Sequence, residues 1–131
     1  MIHFNDRLEM GNKLKEIENL PDNWNDNGAK AFTKKQIEVC RELLKCLPYT
    51  MEIFPVANDS IQFECEHQNE YIKFNVFEDH INAFRASLNT DLYWKYPNIG
   101  CIDLINLLKE YRTEEIYERS QVKKDDMIIR W

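Results

Sequence analysis

The chain has 131 residues, of which 44% are hydrophobic and 12% are aromatic, and its formal net charge is −6. This length suits a single domain, and the apolar content suffices for a packed core, which argues against a globally disordered chain. The acidic balance argues against general binding to nucleic acid or to an anionic membrane, because both need a basic surface, and it is compatible with a basic protein partner.

A short amphipathic helix is predicted over residues 5 to 19. Its apolar or small positions recur at every third residue, at Leu8, Gly11, Leu14 and Ile17. Pro21 lies just beyond this segment, where a proline commonly stops a helix.

A dense cluster of turn-forming residues follows at positions 20 to 29, with Trp24 in its centre. Asn, Asp and Gly tolerate left-handed backbone or bond to their own chain, so this segment is predicted to be a structured loop and not a linker. Two hypotheses remain for it. Trp24 plugs the core while Asn and Asp side chains cap the turns around it, or the loop presents Trp24, Asn25 and Asp26 to a partner.

A second helix is predicted over residues 34 to 47, with one apolar stripe. Thr33 is a favourable N-cap and Gln36 stands three residues later, as in a capping box. Pro48 ends the helix, because proline cannot continue it.

From residue 51 to residue 86 the hydrophobic period changes to two, which predicts an antiparallel meander with one buried face. Strands are predicted over residues 61 to 66, 72 to 76 and 80 to 85. An additional strand before them, at residues 51 to 56, is left open. In the first of these strands the apolar face holds Ile61, Phe63 and Cys65. The polar face holds Gln62, Glu64 and Glu66, where a salt bridge from Glu64 and Glu66 across to Lys73 is expected.

The last third of the chain begins with an aromatic-rich segment, residues 92 to 97, which is predicted to be a loop linking the sheet to the last helix. Its aromatic side chains serve either as an interface or as a plug over the core. The last clear helix is predicted over residues 101 to 112. Residues 127 to 131 are apolar and are either a docked terminal strand or a flexible end.

Helices grouped before and after a run of strands predict an α+β fold. The expected architecture has two N-terminal helices, an antiparallel meander of three or four strands, and a C-terminal helix packed on one sheet face. Residues 1 to 131 are predicted to form this single domain, with the tail at residues 120 to 131 left open.

The chain is predicted to be cytoplasmic, with no membrane span and no signal peptide. Its apolar runs are only a few residues long, and its first six residues lack a basic head followed by an apolar core. Its cysteines form no C-x-x-C pair, so reduced and mostly buried thiols are expected. They are Cys40, Cys46, Cys65 and Cys101.

No metal, cofactor or catalytic residue is predicted. His3, His67 and His80 form no pair at the spacing of a zinc motif. The turn cluster partly imitates a calcium loop, but Lys34 stands at the position that requires a bidentate glutamate. A cysteine–histidine nucleophile remains open, although no cysteine has a neighbour that would clearly lower its pKa.

Glu64 and Glu66 on the polar sheet face admit three interpretations. They lie on a solvated face, they form a patch that binds a partner, or they serve a hydrolase as paired acids. Further acidic residues would join the patch if the strand register brings them near. They are Glu52, Glu70, Glu78 and Asp79.

The turn cluster and the strand after it resemble a group of small bacterial proteins. Here the chain reads Leu20-Pro21-x-x-Trp24-Asn25-Asp26-x-Gly28-Ala29, then Leu47-Pro48, then Ile61-Gln62-Phe63-Glu64. The group has a motif close to L-P-x-x-W-D-G-x-G-A, followed by a helix and a strand similar to I-Q-L-E-W. The chain departs from it at Asn25, Asp26 and Cys65, where the group has Asp, Gly and Trp. The resemblance implies a bacterial or mobile-element origin, sometimes near toxin–antitoxin or phage-conflict genes, and supplies no catalytic residue.

The sequence therefore favours a non-catalytic protein-binding module. The hypothesis for its role is an antitoxin, immunity or anti-defence protein, in which the acidic sheet face binds a basic partner. The predicted partner-binding residues are Trp24, Asn25, Asp26, Glu64, Glu66, Tyr93, Trp94 and Tyr96. One alternative is a small hydrolase that uses Glu64, Glu66 and a histidine. Another is a structural homodimer that pairs through an exposed strand or through residues 127 to 131.

Overall fold

A computed structural model describes residues 4 to 111 of the chain. The order of its elements is two helices, five strands and a third helix. Their bounds are α1 Phe4–Glu18, α2 Lys34–Cys46, β1 Glu52–Val56, β2 Ser60–His67, β3 Glu70–Val76, β4 Ile81–Ser87, β5 Tyr93–Tyr96 and α3 Cys101–Tyr111. The predicted α+β class and the C-terminal helix are confirmed.

The strands form one antiparallel meander in the order β1-β2-β3-β4-β5. The sheet has five strands where three or four were predicted. The optional strand at residues 51 to 56 is present as β1, and the segment predicted as an aromatic loop is the edge strand β5. Trp94 lies opposite Arg85 in the ladder between β4 and β5. A four-residue strand is too short to show a period of two, so the pairing with β4 defines it.

The second helix begins as its sequence predicts. The Thr33 hydroxyl accepts a hydrogen bond from the Gln36 backbone N–H, and the Gln36 side chain accepts one from the Thr33 backbone N–H. This capping box satisfies two donors at the helix start. The Gln36 amide also donates to the carbonyls of Asp59 and Val76, which ties α2 to the β1–β2 turn and to the last residue of β3.

Two-residue hairpin geometry fixes the register of β2 against β3. Gln68 and Asn69 have φ values of 48° and 66°, both in the left-handed region. A turn with positive φ at both central residues matches the twist of the two strands it joins. The register that follows places Glu64 opposite Lys73 and Phe63 opposite Phe74.

The core lies between one face of the sheet and the three helices. It takes Leu14 from α1, Ile37 from α2 and Leu104 from α3, and these pack with strand residues such as Phe63 and Phe74. The two phenyl rings stack at 4.5 Å. We call the sheet face toward the helices the inner face and the other the outer face.

No helix within residues 4 to 111 is long and apolar enough to cross a membrane. The two alternatives for residues 127 to 131, a docked terminal strand or a flexible end, concern a segment outside the described residues.

Candidate binding surface

The outer face is the only broad sheet surface that the helices of the described region leave uncovered. The buried hydrophobic side chains of the helices between residues 4 and 111 all belong to the core on the inner face. Alternation along the strands assigns the outer-face side chains. They include Glu52, Phe54, Gln62, Glu64, Glu66, Tyr71, Lys73, Asn75, Asn82, Phe84, Tyr93 and Lys95.

Three half-buried aromatic side chains cross the outer face on neighbouring strands, and we call them the aromatic ladder: Tyr71, Phe84 and Tyr93. The Tyr71 and Phe84 rings meet edge to face, with centroids 6.3 Å apart. The Phe84 and Tyr93 rings are stacked, with centroids 5.8 Å apart and an angle of 22° between their planes. Both arrangements are favourable for aromatic pairs. Each ring is therefore held by its neighbour on the next strand.

Two lysines lie against the aromatic ladder. The Lys73 Nζ is 5.7 Å from the centre of the Phe84 ring, and the Lys95 Nζ is 5.8 Å from the centre of the Tyr93 ring. Both distances fall within the range of cation–π attraction. Partial loss of hydration lowers the pKa of the Lys95 ammonium from its ordinary value.

A chain of hydrogen bonds runs beside the ladder. Asn75 Nδ2 donates to Ser60 Oγ and to Gln62 Oε1, each at 3.0 Å, and Gln62 Nε2 donates to Glu64 Oε1 at 2.8 Å. Burial raises the pKa of the Tyr71 phenol to about 12, and the negative charge of Glu64 and its hydrogen bond to Tyr71 add to that rise. These polar side chains are ordered by one another before any ligand arrives.

Two rings of the ladder, Tyr71 and Phe84, and two amides of the polar chain, Gln62 and Asn75, line one shallow depression with a volume of about 560 Å³. Tyr93 is not part of this lining and stacks on Phe84 beside it. The walls of the depression include Val56 and Asn58 at one end, Asn82 in the middle and Lys95 at the other. A concave surface that combines aromatic rings with a few convergent polar groups is typical of a binding site.

The predicted acidic patch is only partly assembled. Glu64 and Glu66 lie on the outer face as predicted, and Glu52 lies opposite Glu64 on β1. Glu70 does not belong to the patch, because it lies on the inner face and is 4% exposed. Asp79 belongs to the β3–β4 turn, where the neighbouring imidazole of His80 holds the pKa of its carboxyl below the usual value.

The expected salt bridges to Lys73 are not formed. Glu64 and Lys73 are opposite each other in the ladder of β2 and β3. The ion pairs between residues 4 and 111 nevertheless include none of Glu64, Glu66 and Lys73. Glu64 bonds to Gln62 and Tyr71 instead, while the Lys73 ammonium lies over the Phe84 ring.

The loop around Trp24 is built from its own side chains. The Asn25 Oδ1 accepts from the backbone N–H groups of Asn27 and Ala29, each at 3.0 Å. The Trp24 Nε1 donates to the Lys30 carbonyl at 3.1 Å. The prediction that Asn side chains cap the turns is confirmed for Asn25. Trp24 itself is half-buried and is not part of the core cluster, so it neither plugs the core nor stands fully free.

The backbone of this loop also explains its composition. Asn23, Asp26 and Gly28 have φ values of 64°, 58° and 86°, in the left-handed region that Asn, Asp and Gly tolerate best. The Asn23 Oδ1 accepts from the Gly28 backbone N–H at 2.7 Å. Asp26 is exposed and turns the chain.

The aromatic residues of β5 divide between the two sheet faces. Tyr93 joins the ladder on the outer face, whereas Trp94 is 0% exposed on the inner face. Trp94 therefore offers no surface to a partner. Tyr96 also lies on the inner side, where burial raises the pKa of its phenol and Arg85 opposes that rise.

A buried ion pair lies beside Trp94. Arg85 and Glu70 are 2% and 4% exposed, and the Arg85 Nη2 donates to the Glu70 Oε2 at 2.9 Å. The guanidinium also lies 5.7 Å from the centre of the Trp94 ring. The sequence reasoning missed this pair. The alternation of β3 contained the signal, because Glu70 has the same parity as the buried Ile72.

The residues proposed for a hydrolase are not brought together. Alternation places His67 on the sheet side opposite Glu64 and Glu66. His80 lies at the β3–β4 turn, stacked on Phe77 at 4.6 Å. His3 lies outside the described residues. Within residues 4 to 111, no group of three or more acidic, histidine or cysteine side chains is arranged to hold a metal ion.

The cysteines of the structure are free thiols. Cys40 is fully buried, and burial raises the pKa of its thiol to about 12. Cys65 is half-buried, while Cys46 and Cys101 are exposed. The expectation of mostly buried thiols is thus wrong for Cys46 and Cys101, which lie at the last and first residues of their helices.

Comparisons with protein-family models, with curated proteins and with solved structures find nothing that matches this chain. The resemblance of the Trp24 loop to a group of bacterial proteins stays a prediction.

Proposed function

We propose that this chain is a non-catalytic protein-binding module that receives its partner on the outer face of the sheet. The observation that supports this most strongly is the aromatic ladder of Tyr71, Phe84 and Tyr93 on a face that the described helices leave open. Tyr71 and Phe84 of this ladder line a depression of about 560 Å³. Aromatic side chains are enriched in the centre of protein interfaces, where they bury a large area with few rotatable bonds.

The side chains of the outer face are held in place in the free protein, which favours binding. Association costs less when the contacting side chains lose little freedom on binding. Tyr71, Phe84 and Tyr93 hold one another, and Asn75, Gln62 and Glu64 are joined by hydrogen bonds. A partner that lands on this face therefore meets a surface that needs little rearrangement.

An antitoxin, immunity or anti-defence role remains our hypothesis for the biological setting, since it rests on the resemblance of the Trp24 loop. In that setting the acidic side of the outer face, formed by Glu52, Glu64 and Glu66, would meet basic groups of the partner. Complementary charges speed association and help to select the partner. Trp24 is the second candidate contact, because it is half-buried in an exposed loop.

The test is an affinity capture with the full-length tagged chain in a lysate of the source organism, read by mass spectrometry. The outer-face variant is Phe84→Ser/Tyr93→Ser. The matched control is Leu88→Ser/Ile102→Ser, which removes apolar side chains that are 52% and 78% exposed and do not belong to the aromatic ladder.

We expect a stoichiometric protein that the wild type and the control retain and the outer-face variant loses. A partner that binds all three proteins equally, or that only the control loses, would contradict the proposal. Circular dichroism and urea unfolding of each variant establish that the loss of binding is not a loss of folding.

A further inference from the structure

The charges of the outer face are separated across the sheet, and this separation defines what the partner must present. The strand register aligns one row of five residues across the five strands, and this row is Glu52, Glu64, Lys73, Phe84 and Lys95. The acidic groups lie on β1 and β2, and the cationic groups lie on β3 and β5.

We propose that Lys73 and Lys95, together with the aromatic ladder, bind a carboxylate-bearing segment of the protein partner. This inference rests on the proposed function. The contact surface of that partner is then divided in charge, with an acidic part over β3 to β5 and any basic part confined to β1 and β2. This revises the expectation of a uniformly basic partner.

Glu64 and Lys73, which lie opposite each other in the row, differ in how far their charges are already engaged. Glu64 accepts hydrogen bonds from Gln62 and Tyr71. The Lys73 ammonium lies over the Phe84 ring and belongs to none of the ion pairs between residues 4 and 111. A carboxylate placed above Phe84 would convert this weak contact into a charge-assisted hydrogen bond, which is stronger. Lys73 therefore has more to gain from an incoming charge than Glu64 has.

The spacing of the lysines suits an extended peptide. Lys73 and Lys95 are two strands apart, which corresponds to roughly 10 Å between their backbones. Alternate side chains of an extended peptide lie roughly 7 Å apart on one face. Because lysine side chains are long and flexible, carboxylates at positions i and i+2 of a bound segment can each reach one ammonium.

A polyanion fits this face less well than a short acidic segment does. Two lysines can neutralise at most two phosphates, and the chain as a whole carries a formal net charge of −6, which repels a nucleic acid at long range. A segment with one or two carboxylates and an aromatic or apolar side chain for the ladder matches both the charge and the rings.

The probe is the peptide acetyl-Tyr-Ala-Glu-Ala-Glu-amide, in which the tyrosine and both glutamates share one face when the chain is extended. Two further peptides replace both glutamates by glutamine or by lysine, and a thymidine hexanucleotide represents single-stranded nucleic acid. Each is titrated into the ¹⁵N-labelled full-length chain at low salt and followed by amide and lysine side-chain NMR signals.

The variant is Lys73→Gln/Lys95→Gln, and the matched control is Lys15→Gln/Lys109→Gln, which changes the net charge equally at exposed helix positions. We expect the glutamate peptide to shift signals of β3 to β5 and to bind on the order of tenfold more tightly than the glutamine peptide. The variant should lose this preference, and the control should retain it.

The inference is overturned if the glutamine or lysine peptide binds the outer face as tightly as the glutamate peptide, or if no peptide shifts these signals. Tighter binding of the hexanucleotide would overturn it in favour of a nucleic acid. The proposed function is judged separately, because the loss of the captured partner by Phe84→Ser/Tyr93→Ser does not depend on the charge of the bound segment.

Discussion

The inner and outer faces of the sheet use aromatic side chains in opposite ways, although the same strands supply both. On the inner face Trp94 is 0% exposed and lies beside a buried arginine. On the outer face its neighbour in sequence, Tyr93, stacks on Phe84 and remains half-exposed. Consecutive strand residues point to opposite sides, so one aromatic segment supplies a buried ring to the inner face and a half-exposed ring to the proposed binding surface.

The difference also appears in the charged groups. Arg85 and Glu70 form an ion pair that is closed within the fold. Lys73 and Lys95 on the outer face lie over aromatic rings, where a partner can reach them. We therefore expect substitutions on the inner face to change the free energy of unfolding, and substitutions on the outer face to change binding.

The largest effect on stability is expected at Trp94. Trp94→Ala should lower the free energy of unfolding by about 3 to 5 kcal/mol, because it removes a large buried side chain and leaves a cavity. Tyr93→Ala should lower it by less than about 1 kcal/mol, because this ring lies on the exposed side of an edge strand. Urea unfolding followed by circular dichroism measures both losses. Losses of equal size would contradict the expected difference in stability between the inner and outer faces.

The buried ion pair should show a similar but smaller effect. Glu70→Ala leaves Arg85 charged in a dry environment and should cost about 3 kcal/mol of folding stability. Replacing both residues by apolar ones, as in Glu70→Leu/Arg85→Met, should recover most of that loss. A double variant as unstable as Glu70→Ala would show that the Arg85 charge is not what makes the single substitution costly.

The smallest effect is expected for Tyr71, which makes the folding stability depend on pH in the alkaline range. Its pKa is raised from 10.0 to about 12 in the folded chain, so the unfolded chain releases this proton first as the pH rises. The wild type should therefore lose stability between pH 10 and pH 12, and Tyr71→Phe should lose less over the same interval. The raised pKa of Cys40 acts in the same direction in both proteins and cancels in the difference. Identical slopes of unfolding free energy against pH would contradict this role of Tyr71.

Much of the fold follows from local patterns in the sequence. The capping box at Thr33 and Gln36 marks the start of α2, and the period of two marks β2 and its two faces. These features are visible because each depends on residues close together in the chain. The fifth strand was missed because four residues show no clear period and its hydrogen bonds come from β4.

The candidate surface was only partly predictable for the same reason. Glu64 and Glu66 were assigned to the correct face from alternation alone. The ladder depends on the register of three strands, which sets Phe84 between Lys73 and Lys95. Lys73 has Glu64 opposite it on β2 and Phe84 opposite it on β4. No local pattern in the sequence indicates that its ammonium lies over the Phe84 ring and does not pair with Glu64.

The most direct test of the central claim, that the outer face is the docking surface, is site-specific photo-crosslinking in living cells of the source organism. The photoreactive residue p-benzoylphenylalanine replaces Phe84 in one variant and Ile102 in the other, the latter being 78% exposed on α3. We predict a crosslinked partner of defined mass from position 84 and none from position 102. A partner that crosslinks from position 102 but not from position 84 would contradict the claim.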